Sequence, residues 1–177
     1  MKFVLLLNYM DKQSQPKSLM QTFEANRVII SFKDLPAQWL PLVERANDAM
    51  RTSYAPYSKF QVGAALLLDN DQIVLGSNQE NAAYPLCMCA ERVALYTANV
   101  IAHNIEVKAI AITAKSDKAK SDKPVSPCGA CRQVLYEREV VQKSEIALLC
   151  GYQDGPFVLF NSISEVLPLA FGPDALL

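Results

Sequence analysis

Cys89-Ala90-Glu91 and the later Pro127-Cys128-Gly129-Ala130-Cys131 offer three thiols and one carboxylate to a single site. A zinc ion held by three protein ligands keeps a position open for water, whereas four ligands usually close a structural site. Three thiols beside a non-ligating Glu91 therefore point to water activated by zinc and a carboxylate that moves its protons. Cys128 and Cys131 form a C-x-x-C turn, which lets both sulfurs reach one ion at a Zn–S distance of about 2.3 Å.

The elements that must carry these groups are legible as patterns. Beyond Pro127, Val134, Leu135 and Arg138 recur at helical steps, and Pro127 suits a first turn where a missing N–H costs nothing. Cys89 opens a second helical stretch, Ala90 to Val100, free of Gly and Pro. Two helix N-termini would then face one metal. Charge makes this useful, because three thiolates and one Zn²⁺ sum to a net charge of minus one, which weakens the ion as a Lewis acid. Helix N-termini carry partial positive charge, and Arg92 and Arg132 adjoin the ligand turns. Arg92 is the first choice to withdraw charge from sulfur.

Cys-Ala-Glu-Arg followed by Pro-Cys-Gly-Ala-Cys-Arg-Gln resembles the small three-cysteine, homotetrameric cytidine deaminases, of the cytidine and deoxycytidylate deaminase family. The resemblance continues, in the family's order, through Tyr57–Leu66, Asn78–Tyr84 and Leu167–Pro173. It covers about residues 37 to 177. It implies zinc on Cys89, Cys128 and Cys131, one ion per subunit, with Glu91 taking a proton from water and delivering it to N3 and to the departing ammonia. It further implies that Asn78 and Glu80 bind a ribose hydroxyl, that Phe60 lines the base pocket, and that the backbone at Ala90 meets the pyrimidine carbonyl. Ala82, Tyr84 and Phe171 match residues that complete a neighbouring subunit's pocket. The implied activity is hydrolysis of cytidine and 2′-deoxycytidine to uridine and 2′-deoxyuridine, in pyrimidine salvage.

The rest of the chain agrees with one soluble, cytoplasmic enzyme. Its 177 residues, 51% hydrophobic with net charge −1, can bury one sizeable core. The near-neutral balance lacks the basic face of a nucleic-acid binder, so a free nucleoside is the expected partner. A lone His103, placed at a loop or helix end, excludes any multi-histidine metal site within one chain. Five clustered or isolated cysteines fit reduced thiols better than a disulfide framework. The apolar run Phe3–Leu7 is shorter than the core of a secretory signal, about 7 to 15 residues, and no segment is long enough to span a membrane.

Residues 1–35 read as an N-terminal extension, in which Val28–Phe32 could pack on the core, and 36–177 as a single catalytic domain. Trp39, Val43, Ala46 and Met50 mark an amphipathic helix, and Asp69-Asn70-Asp71 joins two strands. Apolar strands at Val107–Ala114, Glu145–Tyr152 and Phe157–Phe160 and a short helix from about Ser162 complete the order α-β-β-α-β-α-β-β-α. Strands this continuously apolar need helices on both faces. The expected fold is α/β, a three-layer α/β/α cytidine deaminase-like arrangement with a mixed five-stranded sheet. The segment Lys115–Lys123, with Lys-Ser-Asp-Lys twice, reads as a solvated loop.

Two other readings use the same residues. Cys87 could join Cys89, Cys128 and Cys131 in a closed four-cysteine structural zinc site, making the chain a non-enzymatic module; that site has no use for Glu91, Asn78, Glu80 or Phe171. Within the deaminases, another aminopyrimidine or a nucleoside antibiotic is the nearest rival substrate. A redox C-x-x-C leaves Cys89 unexplained.

Overall fold

The computed structural model describes residues 28–116, 124–153 and 155–176. The Phe3–Leu7 run and residues 117–123 of the Lys-Ser-Asp-Lys loop lie outside them. Strands β1 (Val28–Ser31), β2 (Phe60–Leu68), β3 (Ile73–Ser77), β4 (Val107–Ser116), β5 (Ala147–Tyr152) and β6 (Pro156–Phe160) form one sheet in the order β1-β6-β5-β4-β2-β3. Only β4 and β5 pair in parallel, so the sheet is mixed. Helix α1 (Leu40–Ala49) covers one face, and α2 (Ala90–Ile101) with α3 (Gly129–Gln142) the other.

Among the described residues the sheet has six strands, not five. The β-branched run at Val28–Ile30 pairs antiparallel with β6, Ile30 opposite Phe157, and so covers what would otherwise be a bare edge of the sheet. Phe32 then folds onto the α1 side, its ring 6.1 Å from that of Phe157. The expected last helix is a 3-10 turn, Ile163–Val166, capped by the Ser162 side chain. Pro168 disfavours helical backbone at Leu167, which stops propagation there.

Packing explains why each helix lies where it does. In α1, Leu42, Val43, Ala46 and Ala49 are buried at helical spacing, and Pro41 occupies the first turn. In α2 the buried positions are Ala90, Glu91, Ala94, Leu95 and Ala98. The small residues let α2 settle directly on β3, where Gly76 has no side chain: a Cβ there would lie 2.4 Å from the Ala90 oxygen and the Ala94 nitrogen. Leu66, Leu68, Ile110, Ile112 and Leu148 have lost essentially all exposure beneath α2 and α3; burying such a side chain contributes about 1.5–3 kcal/mol. Among the described residues, no helix is long and apolar enough to cross a membrane.

Candidate active site

Cys89 is the N-cap of α2, and Cys128 is the N-cap of α3 with Cys131 in the first turn. The layer packing brings these two helix starts together. The Cys89 and Cys128 sulfurs are 3.9 Å apart, those of Cys128 and Cys131 are 3.5 Å apart, and all three lie within 4.8 Å of one another. A tetrahedral site with Zn–S of 2.3 Å has edges of about 3.8 Å, so the three donors suit zinc in both chemistry and spacing. Among the described residues this is the only such cluster of ligating side chains.

The surroundings manage charge. Arg92 Nη2 lies 3.7 Å from the Cys89 sulfur. A cation in the first turn opposes the helix dipole, and the thiolate offsets that cost. Cys131 donating to its sulfur, together with Arg92, holds the Cys89 thiol down to about 5, while the same contact with Cys89 and burial push Cys131 up. Arg132 takes a different part. Its guanidinium donates to the Pro127 carbonyl at 2.8 Å, the Val166 carbonyl at 3.1 Å and Ser126 Oγ at 2.8 Å, which ties down the ligand turn without touching sulfur.

Glu91 is 5% exposed. Burial pushes its carboxyl up from the ordinary carboxylate range, the nearby Cys89 charge adds to this, and a contact with Cys131 opposes it. The carboxylate opens on a pocket of about 470 Å³, whose lining includes Phe60, Asn78, Glu80, Cys89, Ala90 and Cys128. That volume lies in the usual range for a small ligand, about 300–1,000 Å³. Phe60 stands edge-on to Tyr152 at 6.5 Å, which fixes its ring in the wall.

Asn78 and Glu80 reach the pocket already partly committed. Asn78 Oδ1 accepts from Ser53 Oγ at 2.6 Å and from the Val62 N–H at 2.8 Å, and its Nδ2 donates to the Phe60 carbonyl at 2.9 Å. One amide N–H is left for a ligand. Glu80 Oε2 accepts from the Tyr57 and Ser58 N–H groups at 2.9 and 3.3 Å. The Ser58 hydroxyl and these two N–H groups hold its carboxyl below the usual range.

Three residues expected to complete a neighbouring subunit's pocket lie outside this chain's own. Ala82, Tyr84 and Phe171 are exposed, Tyr84 at 72% and Phe171 at 60%, and none lines the cavity. Cys87 lines the cavity but stands apart from the cluster, its sulfur accepting from the Asn81 N–H at 3.2 Å and donating to the Asn81 carbonyl at 3.5 Å. A closed four-cysteine site is therefore not formed. Val125 and Ser126 also line the pocket. Sequence reasoning passed over them, since only their place just before Pro127 sets them apart.

The sequence profile described as the cytidine and deoxycytidylate deaminase zinc-binding region matches residues 38–145. The chain belongs to that family. The match contains Cys89, Glu91, Cys128 and Cys131 together with Phe60, Asn78 and Glu80, and stops short of Phe171. This deaminase is 41% identical over 130 residues to a cytidine deaminase of Halalkalibacterium halodurans, covering 73% of the chain and 91% of that protein. It is 36% identical over 138 residues to a cytidine deaminase of Mycobacterium tuberculosis, covering 78% and 92%. The crystal structure of cytidine deaminase from Burkholderia pseudomallei superposes with a TM-score of 0.64 at 37% identity, covering 75% of this chain and 98% of the other.

Proposed function

We propose that this deaminase hydrolyses cytidine and 2′-deoxycytidine to uridine and 2′-deoxyuridine with release of ammonia, in cytoplasmic pyrimidine salvage, as a homotetramer with one zinc per subunit. The observation that carries the reading is the buried Glu91 lining the same pocket as Cys89 and Cys128, whose sulfurs stand with that of Cys131 at zinc spacing. Cys89, Cys128 and Cys131 would hold zinc, which would supply a Lewis acid able to lower the pKa of water toward neutrality. Glu91 takes a proton from the water that attacks C4 and passes it to N3, then takes the remaining proton of the new C4 hydroxyl and delivers it to the amino group as the C4–N bond breaks and the C4 carbonyl forms. Burial suits it to both tasks, because it brings an acid and a base form within reach of one pH. Arg92 draws charge from the Cys89 sulfur.

Binding falls to the pocket wall. Phe60 offers its ring to the base, and the Ala90 N–H, at the first position of α2 where no intrahelical acceptor exists, meets the C2 carbonyl. Asn78 has one N–H left, and Glu80 holds its Oε2 on the Tyr57 and Ser58 amides while Oε1 can accept. One donor and one acceptor are what a single sugar hydroxyl needs. Ala82, Tyr84 and Phe171, exposed outside the chain's own pocket, would complete a neighbour's.

The test follows the ultraviolet change on deamination of cytidine and 2′-deoxycytidine by wild type and Glu91→Ala, with zinc measured in both. Wild type should turn over both nucleosides, and Glu91→Ala should keep its zinc and lose at least about a hundredfold in kcat. A zinc-loaded wild type inert toward both would overturn the proposal.

A further inference from the structure

One buried charge has no part in that chemistry. Glu139, at the start of the last turn of α3, is 8% exposed and its carboxylate accepts four hydrogen bonds. Oε2 takes the N–H groups of Ile146 and Ile163, each at 2.8 Å; Oε1 takes Ser162 Oγ at 2.7 Å and the Ser164 N–H at 3.2 Å. Three of these donors belong to the segment that runs from Ser162 to Phe171. Earlier on the same helix, Arg132 donates to the Val166 carbonyl at 3.1 Å and Gln133 to the Phe171 carbonyl at 2.8 Å. Tyr136 lies under Gly172, its ring 3.4 Å from where a Cβ would stand. Arg132, Tyr136 and Glu139 are spaced four and three residues apart, so one face of α3 grips this segment along its length.

A second observation says the grip works against resistance. Leu169 is 85% exposed and has φ +58°, a left-handed backbone that a bulky residue adopts at a cost. Such strain persists where the surroundings over-determine it. The largely exposed Leu169 side chain is not what holds it; its flanks are tied, at Val166 by Arg132 and at Phe171 by Gln133. The segment is thus held in a shape it would not keep alone, and its end presents Phe171 to the outside.

We propose that Glu139 is a positioning residue: its carboxylate fixes Ser162–Ser164 to the helix that bears Cys128 and Cys131, and so sets where Phe171 meets the substrate pocket of a neighbouring subunit. The inference rests on the shared-pocket reading of Phe171. Because α3 begins at the thiol cluster and ends at this clip, one rigid element registers a subunit's own site against the pocket it completes next door.

Glu139→Gln keeps the shape and replaces one of the two acceptor oxygens by an NH₂ donor. Its NH₂ faces either the Ile146 and Ile163 N–H groups, with both bonds lost, or the Ser164 N–H and Ser162 Oγ, with the first lost and the hydroxyl turned to accept. The measurement is a cycle of wild type, Glu139→Gln, Phe171→Ala and the double variant, reading KM, kcat and zinc content below the unfolding temperature of each. Glu139→Gln should raise KM roughly 3- to 30-fold, with kcat within about twofold and zinc unchanged. In the Phe171→Ala background the same change should add little, because the ring it positions is gone. A purely structural Glu139 would lower the unfolding temperature and leave KM alone in the folded enzyme, and that result overturns the proposal. So does an additive cycle. A Phe171→Ala enzyme with unchanged KM sinks the shared-pocket reading itself and this proposal with it, so the two failures are told apart. Ser162→Ala, which deletes one donor to Oε1 and leaves the backbone donors, replaces Glu139→Gln in the cycle if the latter does not fold, with a smaller shift in the same direction.

Discussion

Thiols of the same kind do different work here according to what surrounds each one. Cys89, Cys128 and Cys131 converge at zinc spacing, Cys87 turns its half-buried sulfur to the Asn81 backbone, and Cys150 lies fully enclosed in β5. Burial pushes the Cys150 thiol up to about 12. A thiol reagent attacks the thiolate, so at pH 8 Cys150 remains protonated as well as inaccessible. Zinc-loaded native protein should therefore expose the thiol of Cys87 alone to a chromogenic disulfide. Removing the metal with a chelator should add Cys89, Cys128 and Cys131, and Cys150 should react only on unfolding. The closed four-cysteine alternative predicts that Cys87 is protected until the chelator is added, and that pattern would refute the three-ligand assignment.

At the scale of elements, the site depends on how closely α2 approaches the sheet. Gly76 in β3 leaves room for the first turns of α2, whose backbone atoms at Ala90 and Ala94 would stand 2.4 Å from an added Cβ. Gly76→Ala should push the start of α2 outward, with Cys89 and Glu91 on it. Overpacking of this kind costs roughly 1–3 kcal/mol, and kcat should fall with it as Glu91 leaves its position. Gly129, at the start of α3, has nothing within 4 Å of an added Cβ. There Ala should be neutral or stabilising by up to about 1 kcal/mol, with activity kept. Urea unfolding and initial rates on the two variants make the comparison, and a Gly76→Ala enzyme as stable and active as Gly129→Ala would show that this approach does not set the site.

For the whole molecule, the decisive fact is what one chain leaves outside its own pocket. Tyr84, Leu86, Leu169 and Phe171 are large apolar side chains more than half exposed. If Phe171 completes a neighbour's pocket, two defective subunits can repair each other. Glu91→Ala and Phe171→Ala subunits, refolded together, should recover activity neither has alone, with about one quarter of the pockets intact if each pocket joins two randomly mixed subunits. Activity at low cytidine concentration, compared with the sum of the separately refolded variants, reads this out; no gain would place the whole pocket within one chain.

Much of this was readable from spacing along the chain. Cys89-Ala90-Glu91 and the C-x-x-C after Pro127 are local patterns, and a helix start presents neighbouring side chains whatever lies beyond it, so the three thiols, the carboxylate beside them and the helices α2 and α3 could be placed together. The apolar strands likewise announced a sheet covered on both faces. Contacts between residues far apart in sequence were another matter. Only the packed layers decided that Val28–Ser31 adds a sixth strand, that Ser53 and Val62 take up Asn78 Oδ1, that Cys87 turns to Asn81, and that Arg132 serves Pro127 and Val166 and not a sulfur. Nor does any periodicity mark Glu139 as a clip on Ser162–Ser164, because its partners lie more than twenty residues away and meet it only once α3 has packed on the sheet. Residue types set which chemistry was possible, and the three-dimensional neighbours of each polar atom set how much of its bonding capacity was left for a substrate.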